Sequence, residues 1–330
     1  MNKFFEDDMS RLGAQRRLPQ LTMRLLGWPP ATRVARLANR RRLPVLAYHD
    51  ITDAALFARH LDLIQEHHHP VAGEEVITAI RGGRRLPRGA IWVTFDDANP
   101  GVFALGMSLL KERGVPASLF VCPGVIDTCR PYWWQVIDTA LATGRSIAVG
   151  GKVWSDRSII THLKQVPDDV RRALVARTAD EIAESGKSVA VRQATSTALR
   201  QWLDAGLELG NHTWDHPCLN TCDEKEQHRQ IIAAHEWLRD KLGVQPRLFA
   251  YPNGNVAGPS RRILDKVGYQ VVVLFDHRVS RADGPEVSRL RIDAHAPIER
   301  LDAIASGLHP AVYALAQRFG TARDTPGAKS

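Results

Sequence analysis

The chain has 330 residues, of which 44 are Lys or Arg and 36 are Asp or Glu, for a formal net charge of +8, and 44% are hydrophobic. That length and apolar content suit one large domain or two ordinary ones and exclude a disordered or fibrous chain. The longest apolar runs, such as Val271 to Phe275, fall far short of the roughly 20 residues that cross a bilayer, so no membrane-spanning helix is expected.

The first 43 residues read as a basic arm. They hold ten basic and three acidic residues, whereas the remainder carries 34 basic and 33 acidic, so the charge excess belongs to the arm and not to the body. Leu21, Met23, Leu25, Leu26 and Trp28 alternate there with arginines. This composition suits peripheral contact with an anionic membrane and equally a solvated tail. A nucleic-acid partner is not expected, because it would want a basic stripe across the folded body. Met1 to Met9 contains Glu6, Asp7 and Asp8 and lacks the basic start and apolar run of a secretory signal. Cys122, Cys129, Cys218 and Cys222 form no paired CxxC knuckle and read as reduced thiols. The expected location is cytoplasmic, peripheral at the inner membrane face.

From Pro44 onward, short apolar runs alternate with amphipathic segments, the pattern of parallel strands joined by helices. A strand at Pro44 to Tyr48 leads into His49, and a helix spans Ala54 to His67. The histidine run His67 to His69 sits at the end of that helix, where cations offset the dipole, and receives no role. A strand at Ala90 to Phe95 ends in the carboxylate pair Asp96 and Asp97, and a helix at Phe103 to Arg113 precedes a strand at Ala117 to Cys122. Residues 127 to 194 show few strand signals and read as a helical insertion opened by Pro131, Tyr132, Trp133 and Trp134. Trp133 and Trp134 suit stacking on sugar faces or packing of the insertion. After a helix at Thr197 to Ala205, a strand at Leu207 to Gly210 runs into His212 and His216. A helix at Glu224 to Leu242 precedes the strand Arg247 to Tyr251, which ends in a Pro and Gly turn. The helix Ser260 to Val267 and strands at Tyr269 to Leu274 and Ser288 to Ile292 complete the body, before a small, polar tail. Seven such strands fit a barrel or an open doubly wound sheet, and the pattern does not choose between them.

In either architecture, catalytic groups gather at the carboxyl ends of the strands. Three strands here end in two carboxylates, two imidazoles and a rigid turn. With 13 histidines in the chain, a spacing of four arises by chance often enough to decide nothing, so it is the shared rim that matters. Two histidines and a carboxylate with an open position suit a catalytic divalent metal. The second carboxylate would serve as general base, provided the two aspartate side chains diverge.

Five stretches carry a family resemblance: LPVLAYHDI (43–51), LPRGAIWVTFDDA (86–98), LLKERGVPASLFV (109–121), LELGNHTWDHPCL (207–219) and RLFAYPNGN (247–255). The chain resembles polysaccharide deacetylases of the NodB-homology type, carbohydrate esterase family 4. The resemblance implies an α/β fold, an irregular (β/α)7 TIM-like barrel over residues 44–315, with the insertion at 127–194 and a tail at 316–330. It implies Asp96 as base, Asp97, His212 and His216 as metal ligands, zinc as the most expected ion, and the Tyr251 N–H as an oxyanion donor. The implied reaction is metal-dependent hydrolysis of the amide of an N-acylated sugar, in a glycan or glycolipid precursor. Ala98 and Asn99 stand where the family usually has glycine and an aromatic residue, and they keep a non-catalytic carbohydrate-binding protein on the same barrel as the alternative. Ala250 replaces the arginine that in many members pairs with the base; Arg289 is the favoured substitute, ahead of Arg291. His295 is the first candidate for the acid, His277 the second, and His49 is expected to contact substrate or orient a ligand.

Overall fold

Seven short strands, nearly all of their residues buried, form one parallel ring. In the computed structural model, which describes residues 28–321 with side chains to residue 315, β1 (Val45–Tyr48) pairs with β2 (Ala90–Asp96). The series continues through β3 (Ala117–Val121), β4 (Glu208–Asn211), β5 (Leu248–Ala250) and β6 (Val271–Val273), every pair parallel. The ring is completed by β7, a single bent segment. Its first half, Glu286–Val287, pairs with β6, and its second half, Leu290–Arg291, pairs with β1. This is the (β/α)7 barrel, and it explains the continuous apolar runs, since strands covered on both faces need no polar alternation.

Alternate residues of each strand face opposite sides. Val45, Trp92, Phe120, Ala250, Val271 and Val273 pack together in one cluster. Their neighbours Leu46, Tyr48, Val93, Phe95, Leu119 and Leu209 pack under the helices in another. Helix Ala54–His67 starts where Asp53 accepts a hydrogen bond from the Leu56 N–H at 3.0 Å, and Asp223 caps Glu224–Leu242 in the same way. The second helix stops at Gly243, whose φ of 71° needs no side chain to be accommodated.

The insertion leaves and rejoins the barrel at a narrow neck, with the Asp127 N–H donating to the Ala194 carbonyl at 3.0 Å. It holds helices Trp133–Ala142, Ser158–Leu163 and Asp168–Glu184 around its own apolar cluster. The expectation of a purely helical insertion is corrected by a hairpin, Ile147–Val149 with Lys152–Trp154, turned by Gly150 and Gly151 at positive φ. Of the predicted arm, residues 1–27 lie outside the described residues, as do residues 322–330 of the predicted tail. The rest of the arm is not extended: Pro29–Asn39 is a helix that buries Thr32 and Ala35 and pairs Arg36 with Asp302. The helix Leu308–Thr321 likewise runs into the predicted tail. Among the described residues, no helix is long and apolar enough to cross a membrane.

Candidate active site

Strand periodicity separates the two adjacent aspartates. Asp96 is the last residue of β2 and shares the face of Trp92 and Thr94, so its carboxylate points into the barrel mouth. Asp97 leaves the strand in the left-handed region, φ 67°, and Ala98 follows at φ 53°, a conformation that costs a residue with a Cβ about 1 kcal/mol. Ala98 therefore keeps the backbone shape a glycine would adopt. The Asn99 amide donates to the His49 carbonyl at 2.7 Å, fastening the exit of β2 to that of β1.

Arg289 lies in the bend of β7 and grips Asp96 with both nitrogens, Nη1 to Oδ1 at 2.7 Å and Nη2 to Oδ2 at 2.8 Å. Burial alone would raise the Asp96 carboxyl, but the charge and hydrogen bonds of Arg289 hold it well below the usual carboxylate range. Asp97 goes the other way. Burial first, and then the charge of Asp96, push its carboxyl well above that range, against a weaker pull from Arg289 and from Lys164 of the insertion.

His212 and His216 are on a loop, not a helix. The loop is shaped by Thr213 and His216 at positive φ and by Gln230, whose Oε1 accepts from the N–H groups of Trp214 and Asp215 at 3.0 and 3.1 Å. From the insertion, Arg172 binds Asp215. His212 Nδ1 lies 2.8 Å from the Ala250 carbonyl; donating there leaves the Nε2 lone pair facing Asp97. Burial lowers the pKa of both histidines, so they stay neutral. Their Nε2 atoms stand 3.6 Å (His212) and 3.5 Å (His216) from Asp97 Oδ1.

This set fits a divalent cation. One donor atom from each of Asp97, His212 and His216 lies within 4.8 Å of the others. Asp97 Oδ1 and His216 Nδ1 are buried with no hydrogen-bond partner among the described residues. A buried carboxylate without a partner is costly, and a cation is the charge that would satisfy it.

The other candidates divide. His49 is at the cluster, its Nε2 4.0 Å from Asp96 Oδ2 and its ring half-exposed. Trp134 lies edge-on to His216 at 4.5 Å and stacks on Tyr132 at 4.5 Å, forming a wall of the site. Trp133 is half-buried and packs against the insertion core beside Arg171, the second of the two roles expected for it. His295 is exposed beside Thr52 and bonds to none of the four cluster residues. His277 is paired with His309 at 2.9 Å. The Tyr251 N–H donates to the Val273 carbonyl at 3.3 Å, so it belongs to the last rung of the sheet. Tyr132 had no expected role, yet its hydroxyl donates to the Asp97 carbonyl at 3.0 Å. Its place beside the two tryptophans was the only signal for it.

Residues 83–272 match the family model described as polysaccharide deacetylase. The poly-β-1,6-N-acetyl-D-glucosamine N-deacetylase of Escherichia coli (strain K12) is 22% identical over 272 residues, covering 77% of this chain and 37% of that protein. The chain thus spans just over a third of the length of the curated relative it matches. Among solved structures, the deacetylase PplD of Streptococcus pyogenes, in complex with acetate, aligns with a TM-score of 0.55 at 19% identity, covering 79% of this chain and 96% of that one. IcaB from Ammonifex degensii aligns with a TM-score of 0.54 at 20% identity, covering 80% and 97%.

Proposed function

The chain belongs to the polysaccharide deacetylase family, and from that premise we propose that it hydrolyses the amide of an N-acetylated or similarly acylated sugar in a glycan or glycolipid precursor. The observation that carries the proposal is the division of labour between adjacent aspartates: one ionised and gripped by Arg289, one facing two neutral imidazoles. Asp97, His212 and His216 would hold the metal, which when bound supplies Lewis-acid polarisation of the acyl carbonyl and acidifies water. Zinc is the ion we favour, because two neutral imidazoles and one carboxylate are a donor set it commonly takes in catalytic sites.

Asp96 accepts the proton of a water in the cleft. Each of its oxygens bonds one arginine nitrogen and keeps a further lone pair for that proton. As the water oxygen joins the acyl carbon, the C–N bond breaks and the amine needs a proton. His49, half-exposed and 4.0 Å from Asp96, is the histidine placed to relay to it the proton that Asp96 takes from the water, since burial lowers its own pKa to about 4 and leaves the ring neutral beforehand. Holding the developing oxyanion with the Tyr251 N–H requires its 3.3 Å rung to Val273 to open. The backbone at Ala98 and the Asn99 bond to His49 support the catalytic reading over a non-catalytic one.

Mass spectrometry of N-acetylated glucosamine oligomers incubated with the metal-loaded protein tests the proposal. Loss of acetyl groups with the wild type and not with Asp96→Asn is expected. Turnover by Asp96→Asn at the wild-type rate would remove Asp96 as the base.

A further inference from the structure

The opposite end of the barrel carries a second concentration of charge. A cavity of about 260 Å³ opens there between helix Pro29–Asn39, the residues leading into β1 and β2, and the end of helix Ala54–His67. Arg33, Arg36, Arg40, Arg42 and Arg88 line it, and no carboxylate does. Only Arg36 has an ion-pair partner among the described residues, Asp302. Four of the five belong to the basic first 43 residues, and gathering these guanidinium groups around one hollow works against their mutual repulsion. His68 also lines the cavity, and its Nε2 is buried without a hydrogen-bond partner.

We propose that this cavity binds the phosphate group of a phosphomonoester, phosphodiester or diphosphate. Guanidinium groups pair with phosphate oxygens in parallel forks, and a dianion relieves the repulsion among several of them at once. Arg33, Arg40, Arg42 and Arg88 supply guanidinium forks with no ion-pair partner among the described residues, and His68 Nε2 offers one further polar contact. The same chemistry serves a soluble phosphate or a lipid headgroup. Leu37 lines the cavity and is 58% exposed, and Val34 on the same helix is 67% exposed, so a ligand with an apolar portion also finds a surface. The cavity lies at the amino ends of β1 and β2, and the metal-fitting cluster lies beyond the carboxyl ends of β2 and β4. Occupancy therefore does not compete with the sugar, and the inference stands apart from the hydrolytic reading.

The test uses the full chain and Arg40→Glu/Arg88→Glu, both positions being exposed. Calorimetric titration with inorganic pyrophosphate is run beside flotation with phosphatidylcholine vesicles, with and without phosphatidic acid. Binding to pyrophosphate alone identifies a soluble ligand; binding to phosphatidic acid vesicles, displaced by pyrophosphate, identifies a headgroup. Either should weaken about tenfold or more in the double variant, with melting temperature and hydrolysis unchanged. A wild type that binds neither probe overturns the proposal. So does a double variant that binds as tightly as the wild type, because the basic residues of positions 1–27 would then suffice.

Discussion

Arg289 meets Asp96 across 193 residues of sequence, both of its terminal nitrogens on both carboxylate oxygens, with the pair sealed from water. The guanidinium rests between Phe120 and Phe275, 5.4 and 5.5 Å from their ring centres. An arginine so held can meet only one carboxylate, which fixes where the proposed base stands.

Removing that arginine should cost stability and rate together. Arg289→Ala leaves a buried carboxylate unpaired, and the expected loss is about 3–5 kcal/mol in urea unfolding, with kcat/KM lower by about 10²–10⁴. Without the positive charge, burial raises the Asp96 carboxyl, so the rise of rate with pH shifts to higher pH. Arg289→Lys should retain part of the rate. A rate profile in Arg289→Ala that coincides with that of the wild type would refute the pairing.

Loading with zinc is expected to stabilise the fold. At about 100 times its dissociation constant, a ligand that binds only the folded chain adds about 2.7 kcal/mol, or roughly 4 °C in melting temperature for a chain of this size. Scanning calorimetry with zinc and with a chelator reads this directly. Asp97→Asn and His212→Ala should lose most of the increment, and an undiminished increment in both would place the ion elsewhere.

The proton donor is decided by a comparison of two alanine variants. His49→Ala should lower kcat far more than KM, while His295→Ala should leave both near wild type. The reverse result would return the acid to His295.

A buried histidine pair makes the fold acid-sensitive. Burial first, then the neighbouring histidine or arginine charges, depress His277 from 6.5 to about 3 and His309 from 6.5 to about 4. In the unfolded chain both take up protons near 6.5, so their stabilisation is full above that pH and fades as pH falls toward 3–4. Between pH 7 and pH 5 the melting temperature of the wild type should drop roughly 2–6 °C more than that of His277→Gln/His309→Gln. Equal drops would show that the pair does not titrate on unfolding.

Much of this was legible because local signals and packing agreed. Ala54–His67 and Glu224–Leu242 were read from their amphipathic spacing, and in the fold Asp53 and Asp223 cap the same spans. Asp96 and Asp97 were visible because a fully apolar run ends at them. The hairpin at residues 147–154 was not, since its strands have three residues each and face solvent in part. Arg289 was legible as a charge on a late strand, whereas the placing of His295 was not. The sequence locates a loop without giving its direction, and that loop turns its histidine outward to Thr52. Tyr132 reaches Asp97 from an insertion whose docking no periodicity encodes.

The two-faced segment Glu286–Arg291 ties assembly to chemistry. Its first half holds β6, its second half holds β1, and Arg289 lies between them. A barrel open at this joint would present an Asp96 that burial favours in its protonated, inert form. Local unfolding here would therefore abolish the proposed hydrolysis before Asp97, His212 and His216 separate. Amide exchange at Val287 to Arg291, measured beside activity through a urea titration below the global transition, would follow the opening of that joint.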